Sequence, residues 1–234
     1  MVIIFANKHG NYDFIVQTSI AFALAKLNFS EPLDESVVAF SPGLNMHDAE
    51  KIALVGHGSP GSIEGVSAES IGNAMADPVR GVGRNLRRLI VTSCYAGVRP
   101  DPSRPTSTVE VLASKLRGRG LGGLEIVGYN GPSIKNAELG FFASVVNDPT
   151  PGAAVDSPQL DKAFAQSNTS IMNTKKDTGD LSLLKVNQTT NIGNLGKKAA
   201  VSSKSFYANF IEELSRQQLL LQGDDVARVA VVLD

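Results

Sequence analysis

The sequence predicts an α/β domain with a mostly parallel central sheet and helices on both faces. Three observations carry this: short apolar runs alternate with longer amphipathic ones, two of the runs are continuous in the way of strands covered on both sides, and helix-start signals fall between them. Val2–Phe5 reads as the first strand, followed by a helix over Asp13–Leu27 whose apolar face holds Phe14, Ile15, Ile20, Phe22, Leu24 and Leu27. Ser36–Phe40 is a short strand stopped by Pro42 and Gly43. Lys51–Val55 and Arg88–Val91 are the two continuous runs, and between them Ser67 is placed to cap a helix reaching about Ala76.

Ser107 and Glu110 have capping-box spacing. Val109, Leu112, Ala113 and Leu116 follow at helical intervals before Gly118. Leu124–Tyr129 is the next strand. The α/β core is expected over residues 1–146, with an extension over residues 147–234 packing on the same domain. Pro, Gly, Asp and Ser cluster from Asn147 to Gln159, and residues 167–205 are polar, open to reading as hairpins or as disorder. Phe206, Phe210, Leu214 and Leu221 describe an amphipathic helix closed by Gly223, and Ala227–Leu233 a terminal strand.

Composition narrows the function. The 234 residues carry 22 Lys and Arg against 23 Asp and Glu, with three His and one Cys. A net charge of -1 does not supply the positive surface that tracks phosphate backbones, so nucleic acid is not expected as a partner. One cysteine forms no internal disulfide, which points to a reducing compartment or a reactive thiol. The run Met1–Ala6 is too short for a signal-peptide core, and no stretch approaches the roughly 18 apolar residues of a membrane span. The expected location is cytoplasmic, in its own cell or after delivery into another, without membrane insertion.

Ligands of open α/β sheets bind beyond the carboxyl ends of the strands. One continuous run ends in Gly56-His57-Gly58-Ser59-Pro60-Gly61, the other in Thr92-Ser93-Cys94-Tyr95-Ala96-Gly97. On neighbouring strands, His57 and Cys94 would emerge together as a nucleophile and its base. Taken alone, a lone Cys is more often a small buried apolar residue. Their joint occurrence at matching strand ends, each near glycine, favours the dyad.

All three histidines, His9, His47 and His57, precede Cys94. That order excludes papain-like proteases and a working α/β-hydrolase. Thr92 and Ala96 also stand where a nucleophile elbow needs glycine. The helical segments argue against an all-β viral cysteine protease. Gly118–Gly123 follows a helix and precedes a strand, the reverse of a dinucleotide loop, and no metal-ligand cluster is visible.

The remaining arrangement resembles clan CD, the caspase-like and gingipain-like cysteine peptidases, in two features: an apolar strand into His57-Gly58, and another into Ser93-Cys94. Within the clan, LVGHGSPGSIEGVSAESI (Leu54–Ile71) and LIVTSCYAG (Leu89–Gly97) are most similar to the self-processing cysteine protease domains of multifunctional RTX toxins and large glucosylating toxins. The similarity covers Val2 to about Tyr129. It implies a caspase-like fold and a cysteine endopeptidase in which Cys94 attacks and His57 acts as acid and base, through a thioester. The backbone N–H groups of Gly58 and Cys94 would form the oxyanion site. The substrate would be a protein or peptide, whether this chain itself or a partner effector. A catalytically silent scaffold of the same fold, or an acyl transferase using the same dyad, are the alternatives.

An Asp orients the His in some members. Asp13, Asp34 and Asp48 are all open to that role or to plain solvated loops. Tyr129 and Asn130, beyond the next strand, are expected to bind substrate, although Tyr129 equally suits the core. The toxin domains cleave after leucine, and the only acids between Pro78 and Leu124 are Asp101 and Glu110, which favours a small or apolar residue before the cut.

That same interval holds nine basic residues, and Leu181–Ile211 has Lys185, Lys197, Lys198 and Lys204 with no acid. This is either a solvated basic face or an anion site. The toxin domains are activated by inositol hexakisphosphate, so the resemblance implies that ligand, with Arg84, Arg87, Lys197, Lys198 and Lys204 as candidates. The chemistry itself requires no cofactor and no metal.

Overall fold

In the computed structural model the expected strands lie side by side, and description is confined to residues 1–5, 37–98, 106–131, 133–136, 141–146, 220–223 and 228–234, with the single residues 19, 212 and 216. In chain order the elements begin with β1 (Val2–Ile4), β2 (Val37–Ala39) and β3 (Lys51–Val55). Three two-residue strands follow, β4 (Gly58–Ser59), β5 (Ser62–Ile63) and β6 (Val66–Ser67). Next come α1 (Ala68–Met75), β7 (Arg88–Val91), α2 (Thr108–Leu116) and β8 (Glu125–Tyr129). The remainder is β9 (Ser133–Asn136), β10 (Phe141–Val146), β11 (Leu220–Gly223) and β12 (Arg228–Val232).

Six strands form one sheet in the order β12-β8-β7-β3-β1-β2. Every pairing is parallel except that of β12, which runs antiparallel along β8 and pairs Arg228 with Tyr129. The domain is therefore α/β with a mixed, mostly parallel sheet.

Side chains alternate across this sheet as the pleat requires. Ile3, Ile52, Leu54, Leu89, Val91 and Ile126 join α1 and α2 in one apolar core, while Val2, Ala53, Val55, Ile90 and Val127 point the other way and are also buried. Burial on both faces is the reason these strands read as unbroken apolar runs. Of the helix expected over residues 13–27, only Ser19 is described, helical and buried.

Both helices begin where local chemistry dictates. Ser67 caps α1 by accepting the Ser70 N–H at 3.1 Å. Ser107 caps α2 through a complete capping box: its Oγ accepts the Glu110 N–H, and the Glu110 carboxylate accepts the Ser107 N–H at 2.6 Å. The two crossovers advance the same way across the sheet, so their common hand sets both helices on one face. They meet closely at Gly72, where a Cβ would lie 2.7 Å from Lys115 Cγ, and Lys115 Nζ bridges to Glu69 at 2.6 Å.

The remaining elements correct the sequence reading in two places. β9, β10 and β11 form a separate antiparallel sheet in the order β11-β10-β9, where the sequence predicts no strand. Leu221 and Gly223 lie in β11, paired with Val145 and Ala143, so they do not end a helix. A leucine run carries no period of its own, and pairing with β10 decides its conformation. Glu212 and Arg216, four residues apart, do form an ion pair at 2.5 Å, the contact expected of one helix face. Residues 147–211 lie outside the described set, Lys197, Lys198 and Lys204 among them. No helix among the described residues is long and apolar enough to cross a membrane.

Candidate active site

The ladder between β3 and β7 sets the position of the site. Lys51 pairs with Arg88 and Leu54 with Val91, in parallel and without a bulge. Thr92 prolongs the contact by donating both its backbone N–H (2.9 Å) and its Oγ1–H (3.0 Å) to the Leu54 carbonyl. His57 and Cys94 each stand three residues beyond the Leu54–Val91 pair, so the two strands deliver them at matching places on the carboxyl edge. Both are partly exposed.

Gly58 fits against the cysteine backbone. A Cβ on Gly58 would lie 2.1 Å from Cys94 O, 2.8 Å from Ser93 Cβ and 2.9 Å from Cys94 N, so nothing larger than hydrogen fits there. The backbones of Gly58 and Cys94 are thus in direct contact.

The turn that presents Cys94 is tied down on three sides. Tyr95 donates its N–H to Gly131 O (3.0 Å), Gly97 donates to Tyr129 O (2.9 Å), and Ala96 O accepts the Val109 N–H in the first turn of α2 (3.1 Å). Val98 N–H closes the turn on Tyr95 O at 3.0 Å. Tyr95 adopts φ +59°, a left-handed conformation costly for an aromatic residue. Next to the nucleophile candidate, Ser93 is 1% exposed, and its Oγ has no hydrogen-bond partner among the described residues.

On the histidine side, β4, β5 and β6 form a small antiparallel sheet. His57 N–H donates to Glu64 Oε1 at 2.9 Å, and Glu64 N–H donates back to His57 O at 2.7 Å. Glu64 was not singled out in the sequence. The signal lay in Glu64-Gly65 between Ser62-Ile63 and Val66-Ser67, a two-residue turn flanked by alternating residues.

No family model, curated protein or solved structure matches this chain.

The other sequence-level candidates divide. Tyr129 is buried at 4% exposure at the end of β8, which favours its core reading for the side chain, while its carbonyl supports the Cys94 turn. Asn130 is partly exposed beside Gly131, whose carbonyl holds Tyr95. Asp48 is on the surface against His47 Nδ1 at 3.1 Å, engaged with that histidine and not with His57. Asp13 and Asp34 lie outside the described residues. Among the described residues, no group of three His, Cys, Asp or Glu side chains gathers to hold a metal.

Arg84 and Arg87 are exposed and adjacent, Arg87 Nη1 donating to Arg84 O at 3.0 Å. They precede β7, whereas Cys94 follows it, and an extended chain of that length separates the two ends by roughly 20 Å. The other three candidates, Lys197, Lys198 and Lys204, lie outside the described residues.

Proposed function

We propose that this chain is a cysteine endopeptidase of the caspase-like type, with Cys94 as nucleophile and His57 as acid and base. One observation carries the reading: the parallel register of β3 and β7, which sets His57 and Cys94 at matching positions on the sheet's carboxyl edge. The contact of Gly58 with the Cys94 backbone supports it further.

The chemistry follows from these groups. His57 takes the Cys94 thiol proton as the sulfur forms a bond to the carbonyl carbon of a peptide, and the carbonyl electron pair moves to oxygen. The backbone N–H groups of Gly58 and Cys94 are the donors proposed for that oxyanion. Tyr95 N–H is ruled out as a donor because Gly131 already accepts it. The C–N bond then breaks as His57 delivers a proton to the departing amine, leaving a thioester. His57 next takes a proton from water, the resulting hydroxide adds to the thioester, and collapse releases the acid and restores Cys94.

Labelling with a peptidyl acyloxymethyl ketone tests the proposal. Wild type should be modified at Cys94, Cys94→Ala should not label, and His57→Ala should label slower by about a hundredfold or more. Equal labelling of wild type and His57→Ala would reject the dyad.

A further inference from the structure

Among the described residues, two non-glycine residues adopt positive φ, and both border the candidate site: Tyr95, directly after the cysteine, and Glu64, at φ +48°. Backbone strain of this kind persists where surrounding contacts impose it, and it gathers at functional sites. Glu64 and Gly65 (φ +77°) form the whole loop between β5 and β6, since Ile63 pairs directly with Val66. Two central residues at positive φ make this a type I′ hairpin turn, whose first position prefers asparagine, aspartate or glycine.

Glutamate stands there against local preference. Its longer side chain passes over Gly56, where a Cβ would lie 3.1 Å from Glu64 Cγ, and reaches the His57 N–H at 2.9 Å. Glu64 N–H returns a bond to His57 O at 2.7 Å, so one residue holds both backbone groups of His57. Asparagine or aspartate would relieve the turn but falls one methylene short of that donor. Glycine would relieve it and carries no acceptor.

We infer that Glu64 is a positioning residue, which fixes the His57 backbone so that the imidazole meets Cys94 in a constant geometry. The inference rests on the dyad reading above, and its function lies in the rate of the chemical step, because Glu64 acts through His57. Glu64→Asn and Glu64→Gly keep or raise the melting temperature, since each suits the turn. Both should lower the maximal rate of Cys94 labelling, kinact, by about tenfold or more, with KI held within about threefold. Glu64→Gln keeps the carbonyl acceptor at the same reach and should recover kinact to within about threefold of wild type.

Hydrogen exchange at the His57 amide reads the contact without reference to activity. It should quicken by about tenfold or more in Glu64→Asn and Glu64→Gly but not in Glu64→Gln. Unchanged exchange, or unchanged kinact in folded Glu64→Gly, overturns the role of Glu64 while the dyad stands. If wild type and His57→Ala label alike, the dyad itself falls and takes the positioning role with it.

Discussion

At the residue scale, Gly58 and Ser93 set the tolerances of the site. Alanine at position 58 brings a carbon against the Cys94 carbonyl at 2.1 Å, a backbone atom that cannot swing aside. Gly58→Ala should therefore lose labelling at Cys94 and lower the melting temperature, both readable on one purified sample. Ser93 makes the opposite case. Its buried hydroxyl lacks a partner among the described residues, and an unmet buried donor costs about 1–3 kcal/mol. Ser93→Ala should be neutral or stabilising by about 1 kcal/mol in urea unfolding; a loss of more than that would mean the hydroxyl is used. The placement of His57, Cys94 and Gly58 at one sheet edge was legible in the sequence because glycine, histidine and cysteine at strand ends are chemically distinctive. Glu64 was not, because a glutamate in a polar loop looks like any other until its φ and its partner are known.

Elements were read best where a local rule acts alone. β3 and β7 match the expected runs to the residue, and the Ser107–Glu110 spacing gave the start of α2. Ser107→Ala should cost about 1 kcal/mol by removing the acceptor for the Glu110 N–H; unchanged denaturant stability would show that other contacts hold that end. The turn after α1 adds a pH-dependent contribution. Asp77 Oδ1 accepts the N–H groups of Arg80 (2.8 Å) and Val79 (2.9 Å), which together hold its carboxyl below the usual value. A lowered folded pKa contributes stability above the ordinary carboxylate range and loses it as pH falls through the lowered value. Asp77→Ala should accordingly flatten the acid side of the melting-temperature profile. β11 escaped the sequence because its pairing with β10 joins residues about 75 positions apart, and two-residue strands such as β4 are too short to show any period.

For the whole molecule, the common direction of β3 and β7 separates two ends with different residues. The candidate dyad occupies the carboxyl edge, and the exposed arginines Arg84 and Arg87 lie before the amino end of β7. The near-balanced charge of the whole chain concealed these two exposed cations, which stand at the opposite end of β7 from the cysteine. β12 covers the flank of β8 from Glu125 to Tyr129, and Arg228 shares the Glu125 carboxylate with Arg88. Deleting residues 228–234 uncovers the ladder edge of β8 and should abolish cooperative unfolding; a deletion variant that still melts sharply would show the sheet complete without its antiparallel strand.

The parallel ladders also have a kinetic consequence. Strands that run the same way cannot be joined by a tight turn, so each pairing in this sheet closes a long loop, and the ladder of β3 with β7 forms only after α1 and its flanking segments have condensed between them. Chains rich in such distant pairings fold slowly. His57 and Cys94 belong to opposite sides of one of these late ladders. After dilution from denaturant, helical signal should return first, and modification of Cys94 by the ketone should lag behind it and rise with the slowest phase.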